Sequence, residues 1–138
     1  MEINLWAVLV CAVVSMPLGA IWYGPIFGKK WMEITGAANM SKEECDKMRK
    51  EAGPLYGVQF VLTLFQAYVL AHFIQAWSDA SGVETSLWIL AGFVLPTVAG
   101  CSMWTGDKSK TKWERFFIQI GFQLVCFVVF GLILGNWK

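Results

Sequence analysis

Residues 5 to 24 read LWAVLVCAVVSMPLGAIWYG, a run that contains no Asp, Glu, Lys or Arg. A helix needs about 20 apolar residues to cross the hydrocarbon core of a bilayer, because each residue advances it by about 1.5 Å. Three further uncharged runs of similar length follow: Leu55 to Trp77, Ser86 to Trp104 and Phe116 to Trp137. The sequence therefore predicts an all-α integral membrane protein with four transmembrane helices, in a single transmembrane domain over residues 1–138.

The composition supports a membrane protein over a soluble helical bundle. Hydrophobic residues make up 57% of the chain, against roughly 45–50% in soluble domains. Helices of a soluble bundle would also present polar faces at helical spacing, whereas these four segments are apolar all round.

Basic residues concentrate in two of the three loops. Ten of the eleven Lys and Arg residues lie between the first and second spans or between the third and fourth, and the remaining one is Lys138. Positively charged loops stay in the cytoplasm. We therefore expect loops 25–54 and 105–115 to be cytoplasmic, with both termini and the acidic link Ser78 to Thr85 outside, in a bacterial inner membrane.

The two halves of the chain share a pattern of tryptophan and glycine. Four residues recur at an offset of 82 positions: Trp6, Trp22, Gly24 and Trp31 correspond to Trp88, Trp104, Gly106 and Trp113. This indicates two tandem, parallel repeats of a helical hairpin, repeat one over 1–77 and repeat two over 86–138. The alternative is that Trp lies at both membrane interfaces regardless of ancestry.

The segment WYGPIFGKKW at residues 22–31 follows the first span. Gly24-Pro25 and Gly28 are expected to end the helix, and Trp22 and Trp31 to anchor it at the interface. The motif resembles the bacterial membrane-protein family catalogued as domain of unknown function 1761, through Trp22, Tyr23, Gly24, Pro25, Phe27, Gly28 and Trp31. The resemblance implies a four-helix membrane protein and supplies no catalytic residue. The second copy, which contains Trp104, Gly106 and Trp113, lacks the Tyr and the Pro.

The first basic loop predicts a short cytoplasmic amphipathic helix. Ser41 with Glu44 three residues later forms a capping box, and Glu43 and Lys47 form an i,i+4 pair. Gly53-Pro54 is expected to end this helix before the second span begins.

Polar residues within the spans are the first candidates for function, because polar groups are costly in lipid. Gln59, Thr63 and Gln66 share one face of the second span, and Gln119 and Gln123 share one face of the fourth. Together with His72, they are predicted to line a polar path or pocket between the hairpins. The alternative is that they only join helices by hydrogen bonds, worth about 0.6 kcal/mol on average.

Small residues predict close helix packing, within the chain or with another protomer. One stripe consists of Gly92, Pro96 and Gly100, and the fourth span contributes the pair Gly131 and Gly135.

Several functional classes find no support in the sequence. The spans hold no carboxylate pair and no Ser-His-acid set, so no catalytic residue is assigned and we do not expect an enzyme. The four cysteines form no C-x-x-C motif, which argues against a metal site, and no cofactor is expected. Membrane topology accounts for the basic loops, so nucleic acid is not a predicted partner.

Three functions stay open. The first is a non-catalytic membrane protein that forms a homo-oligomer or serves as an accessory subunit of a larger membrane complex. The second is a small-solute transporter or channel with a glutamine-lined path. The third is lipid or quinone binding between the hairpins, with Trp22, Tyr23 and Trp104 at the headgroup level.

The topology predicts that Lys47 and Asp79 face opposite compartments. Lys47→Cys and Asp79→Cys, each in a variant whose four native cysteines are replaced by Ala, should differ in reaction with a membrane-impermeant maleimide on intact cells. We expect labelling at position 79 only. Labelling of both positions, or of neither until the cells are lysed, would contradict the four-span topology.

Overall fold

The structure is a computed structural model that describes residues 2–137, and within that range it is helical without strands. Its five helices are α1 Leu5–Ile26, α2 Gly28–Thr35, α3 Lys42–Ala76, α4 Gly82–Met103 and α5 Ser109–Asn136. Helices α1, α3, α4 and α5 are each long and apolar enough to cross a membrane. They match the four predicted segments, whereas α2 was not predicted.

Helix α3 differs most from the prediction for the first loop. The predicted capping box is present, since the Ser41 hydroxyl accepts from the Glu44 N–H and the Glu44 carboxylate accepts from the Ser41 N–H. The predicted end at Gly53-Pro54 is wrong, because α3 runs without interruption through both residues to Ala76. Gly53 has no Cβ to meet the proline ring, and Pro54 is exposed, so the carbonyl that loses its helical donor is not buried.

Helix α1 ends within the segment where Gly24-Pro25 and Gly28 were expected to end it. Its regular α-helical part ends at Ile21, and a wider π-helical turn at Trp22–Ile26 completes it, with the Phe27 N–H donating to the Trp22 carbonyl at 3.0 Å. A wide turn accommodates Pro25, which has no N–H of its own to donate. Helix α2 then begins at Gly28 and ends at Gly36, whose positive φ of 81° is typical of a glycine that terminates a helix.

The four long helices form two antiparallel pairs. Helix α1 packs mainly against α3, and α4 packs mainly against α5. The pairs meet where α5 contacts α1 and α3. Each pair is one predicted hairpin, so α1 and α4 point in the same direction.

Glycines let α4 and α5 approach most closely. A Cβ on Gly131 would lie 2.7 Å from the Gly82 carbonyl oxygen and 2.7 Å from the Ser86 hydroxyl. A Cβ on Gly135 would lie 3.0 Å from the Gly82 Cα. The predicted pair Gly131 and Gly135 therefore serves packing within the chain, and its partner is Gly82.

The predicted stripe of Gly92, Pro96 and Gly100 has a different environment. No atom lies within 4 Å of a Cβ built on Gly92 or Gly100, and Gly92 and Pro96 are exposed. The stripe makes no close helix contact within residues 2–137. Pro96 follows a second π-helical turn at Leu90–Val94, which accommodates its missing N–H as the turn at Pro25 does.

Polar contacts identify the two ends of the bundle. At one end the Lys30 ammonium lies 3.1 Å from the Glu114 carboxylate, and the Arg115 guanidinium donates to the Ile34 carbonyl, so both basic loops share that end. At the other end the Gln75 amide donates to the Glu2 carbonyl at 2.6 Å, and the Asn4 amide donates to the Trp137 carbonyl. We refer to these as the basic end and the terminal end.

The glycine contacts generate a stability prediction. Gly131→Ala should lower the free energy of unfolding by about 1–3 kcal/mol, because the new methyl group overlaps Gly82 and Ser86. Gly92→Ala is the matched control and should not destabilise, since its methyl group meets no atom. Reversible unfolding by added sodium dodecyl sulfate, followed by circular dichroism, measures both. Equal stability of the two variants would contradict the close α4–α5 crossing.

Candidate ligand pocket

Helices α1, α3 and α5 enclose a pocket of about 620 Å³, with one side chain of α2 at its edge. Proteins bind small molecules in clefts of roughly 300–1,000 Å³, so this volume suits a small ligand. The lining residues come from α1 (Ser15, Met16, Gly19, Ala20 and Tyr23), α2 (Trp31), α3 (Tyr56, Gln59, Thr63 and Gln66) and α5 (Phe122, Gln123, Cys126 and Phe130).

Four of the six predicted polar residues meet in this pocket. Gln59, Thr63 and Gln66 line it from α3, and Gln123 lines it from α5. Gln59 and Thr63 are joined by two hydrogen bonds. The Gln59 side-chain amide donates to the Thr63 hydroxyl at 3.2 Å, and that hydroxyl donates to the Gln59 backbone carbonyl at 2.8 Å. Gln66 and Gln123 are half-buried where they line the pocket, and neither side chain forms a hydrogen bond with another residue between 2 and 137.

The other two predicted residues lie elsewhere. Gln119 accepts a hydrogen bond from the Ser102 hydroxyl at 3.4 Å, which joins α5 to α4. His72 packs with its ring edge-on to Tyr68, at a centroid distance of 4.7 Å. Neither residue lines the pocket, and for Gln119 the alternative of a helix-joining hydrogen bond describes what is observed.

The pocket extends only part of the way along the bundle. On α3 its lining residues run from Tyr56 to Gln66, which is about 15 Å of helix. Towards the terminal end, the space between the helices is filled by buried apolar side chains: Ala7, Val8, Cys11, Leu70, Ile74, Phe127 and Leu134. The pocket is therefore a dead end that begins near the basic end.

Aromatic rings form the wall nearest the basic end. The Tyr23 ring lies 4.8 Å from the Trp31 ring and 5.4 Å from the Phe122 ring, measured between centroids. Tyr23 and Trp31, which were predicted as interfacial residues, line the pocket together. Ser15, Tyr56, Phe122 and Cys126 were not predicted to line it. Ser15 carried a signal as the one Ser or Thr in the first span, and Cys126 carried one because it shares a helix face with Gln119 and Gln123.

Trp22 secures α1 to α5 beside the pocket. Its indole N–H donates to the Ile118 carbonyl at 2.9 Å, and its ring fills the notch above Gly121, where an added Cβ would lie 2.8 Å from a ring carbon. The Phe27 ring packs against the Trp22 ring, with 4.8 Å between centroids. Trp22, predicted as an interfacial anchor, is thus half-buried between helices.

Two charged residues of α5 hold α2 over the pocket's edge. Glu114 pairs with Lys30 of α2 at 3.1 Å. Arg115 donates to the Ile34 carbonyl at the end of α2 and pairs with Asp107 at 2.9 Å. Because Trp31 lies between these two attachments, they fix the side chain that α2 contributes to the pocket.

The corresponding tryptophans in the second half of the chain form no aromatic wall like that of Tyr23, Trp31 and Phe122. Trp104 is 89% exposed and Trp113 is 47% exposed. Nothing lies within 4 Å of a Cβ on Gly106. Tyr23 and Pro25, which the second copy lacks, are the residues that connect the first copy to the pocket and to the wide turn.

The chemistry of the pocket is that of neutral polar groups and aromatic rings. Its described lining residues include no Asp, Glu, Lys, Arg or His. Within residues 2–137, no group of three or more His, Cys, Asp or Glu side chains is placed to hold a metal ion. The pocket is therefore suited to an uncharged molecule that hydrogen-bonds with carboxamides.

Comparison with known proteins gives one match. The sequence profile of a family described as a protein of unknown function, DUF1761, matches residues 6–135. Searches of curated proteins and of solved structures found no match.

The position of Trp22 generates a second stability prediction. Trp22→Phe should lower the free energy of unfolding by about 1–2 kcal/mol, because it removes the hydrogen bond to Ile118 and part of the buried ring. Trp6 is 70% exposed, so Trp6→Phe should change stability by less than about 0.5 kcal/mol. The same unfolding titration measures both. A larger loss for Trp6→Phe than for Trp22→Phe would contradict the joint between α1 and α5.

Proposed function

This chain belongs to the DUF1761 family, and from the geometry of its pocket we propose that it is an integral membrane protein that binds a small uncharged molecule between α1, α3 and α5. The observation that carries the proposal is the meeting of Gln66 and Gln123, from two different helices, in one pocket without hydrogen-bond partners. An unpaired amide is costly in an apolar environment. A bound molecule that hydrogen-bonds to both amides removes that cost.

Binding fits the geometry better than conduction does. A channel must continue through the bundle, but the polar residues stop at Gln66 and Ser15, and apolar side chains fill the rest. His72, which was predicted to belong to the polar path, lies outside the pocket. The pocket gives less support to catalysis, because no Asp, Glu, Lys, Arg or His lines it and its ionisable side chains are only Tyr23, Tyr56 and Cys126.

Self-association is a second candidate, favoured by the exposed face of α4. The stripe of Gly92, Pro96 and Gly100 is unpartnered within the described chain, and Phe93 beside it is 69% exposed. Small residues let a second backbone approach in a membrane. A homo-oligomer or a larger membrane complex joined through α4 leaves the pocket free, because α4 contributes no residue to it.

The proposal includes the predicted topology and ancestry. We propose that the basic end is cytoplasmic and that both termini lie outside, in accord with the distribution of Lys and Arg. Two copies of a hairpin are the proposed origin of the chain, supported by the equal direction of α1 and α4. After duplication only the first copy would have acquired the tyrosine and proline that shape the pocket.

The test is to identify what the purified protein carries. Native mass spectrometry of protein extracted in mild detergent should reveal a neutral adduct on the wild type that is reduced at least about fivefold in Gln66→Leu and in Gln123→Leu, because each change removes the hydrogen bonds of one amide. Gln119→Leu is the matched control and should keep the adduct, since Gln119 is bonded outside the pocket. An adduct retained in Gln66→Leu, Gln123→Leu and the double variant would contradict the proposal.

A further inference from the structure

We infer that the pocket takes a flat, uncharged ring with oxygen atoms at two opposite positions, as in the head group of a membrane quinone. The inference rests on the proposed function, because it names the ligand class of the same pocket. It depends on the arrangement of three features: aromatic rings at one wall, unpaired amides at two others, and an apolar surface around the opening.

The aromatic wall selects a flat molecule. Tyr23 contacts both Trp31 and Phe122, so three rings from α1, α2 and α5 stand together on one side. Aromatic side chains stack on planar rings with a gain of about 0.5–1.5 kcal/mol beyond the area they bury. A flexible acyl chain gains no such specific contact from them.

The amides select oxygen atoms on the ring. Gln66 reaches the pocket from α3 and Gln123 from α5, so a ring between them meets a carboxamide on two different sides. Each carboxamide offers two N–H donors and one carbonyl acceptor. It therefore donates to the carbonyl oxygen of a quinone and accepts from the hydroxyl group of the reduced form equally well.

The charges of the protein argue against a phosphate-bearing ligand. Lys30, which precedes the lining residue Trp31 on α2, lies 3.1 Å from the Glu114 carboxylate. Its charge is therefore paired with a carboxylate, and no Lys or Arg lines the pocket. An anionic head group would find no cation there to offset its loss of hydration.

The pocket opens beside exposed apolar side chains of α3, and this favours a ligand that enters from the lipid. Tyr56, which lines the pocket, is 64% exposed, and its neighbours Leu55 and Val58 are exposed as well. A hydrocarbon tail attached to the ring can lie along this surface of α3 while the ring occupies the pocket.

The experiment uses the full chain in nanodiscs of phosphatidylcholine and isothermal titration calorimetry. The probe is 2,3-dimethoxy-5-methyl-1,4-benzoquinone with one prenyl tail, whose fully substituted ring limits addition of the Cys126 thiol. We expect saturable binding to the wild type, about five- to tenfold weaker binding to Gln66→Leu and to Gln123→Leu, and unchanged binding to Gln119→Leu. Equal affinity for prenylbenzene, which has no oxygen, would overturn the inference, as would wild-type affinity in the double Gln66→Leu, Gln123→Leu variant.

Two further arms test how the ring is held. The oxidised and reduced probes should bind within about threefold of each other, and affinity should not change between pH 5.5 and pH 7.5, since no carboxylate or His lines the pocket. A preference above tenfold for one redox form, or a tenfold change with pH, would overturn recognition by neutral amides.

A last arm tests the source of the ring. Duroquinone, which has no tail, should bind at least about tenfold more weakly than the prenylated probe, because it leaves the apolar surface beside the opening uncovered. Equal affinity would overturn a membrane source. If the wild type carries a neutral adduct that Gln66→Leu loses, but no quinone binds, the inferred ligand class is wrong and the proposed function is supported. If no adduct is found and no quinone binds, both the ligand class and the proposed function are wrong.

Discussion

The need to satisfy every backbone N–H and C=O group inside an apolar environment governs this structure. Helices meet that need within a single segment, which is why four uncharged runs of about 20 residues form helices. Prolines are the places where a donor is missing. Of the four prolines, Pro25 and Pro96 are accommodated by wide turns at Trp22–Ile26 and Leu90–Val94, and Pro17 and Pro54 lie at exposed positions within α1 and α3. The wide turn of α1 then directs the chain into α2, and α2 carries Trp31 to the pocket.

The sequence predicted the features that depend on local composition. Four helices long and apolar enough to cross a membrane, the sharing of one end by the basic loops and the capping box at Ser41 follow from residue type and spacing, and the structure contains them. The polar face of Gln59, Thr63 and Gln66 was also predictable, because residues at i, i+4 and i+7 share one side of a helix. Such patterns do not predict which other part of the protein each helix face contacts.

The outcomes that the sequence did not determine share this origin. Gly53-Pro54 is a strong local signal for a helix end, yet α3 continues through it, with Pro54 at an exposed position. Gly92 and Gly131 are the same residue in apolar runs, yet only Gly131 meets a neighbouring backbone within residues 2–137, that of Gly82. Trp22 and Trp104 occupy equivalent places in the tryptophan pattern, yet only Trp22 has a carbonyl and a glycine notch opposite it. The last two outcomes depend on a partner far away in the sequence.

The two ends of the bundle differ in how the space between the helices is filled. Towards the terminal end, large apolar side chains such as Phe127 and Leu134 fill the space between α1, α3 and α5, and glycines bring α4 against α5. Towards the basic end a pocket lies between these three helices, and carboxamides from α3 and α5 form part of its lining. Open space with unpaired amides lowers stability, so it persists only because the packed half holds the helices together. A protein selected for packing alone would close this space with apolar residues, as it does in its other half, so the glutamines at this position are consistent with the proposed ligand.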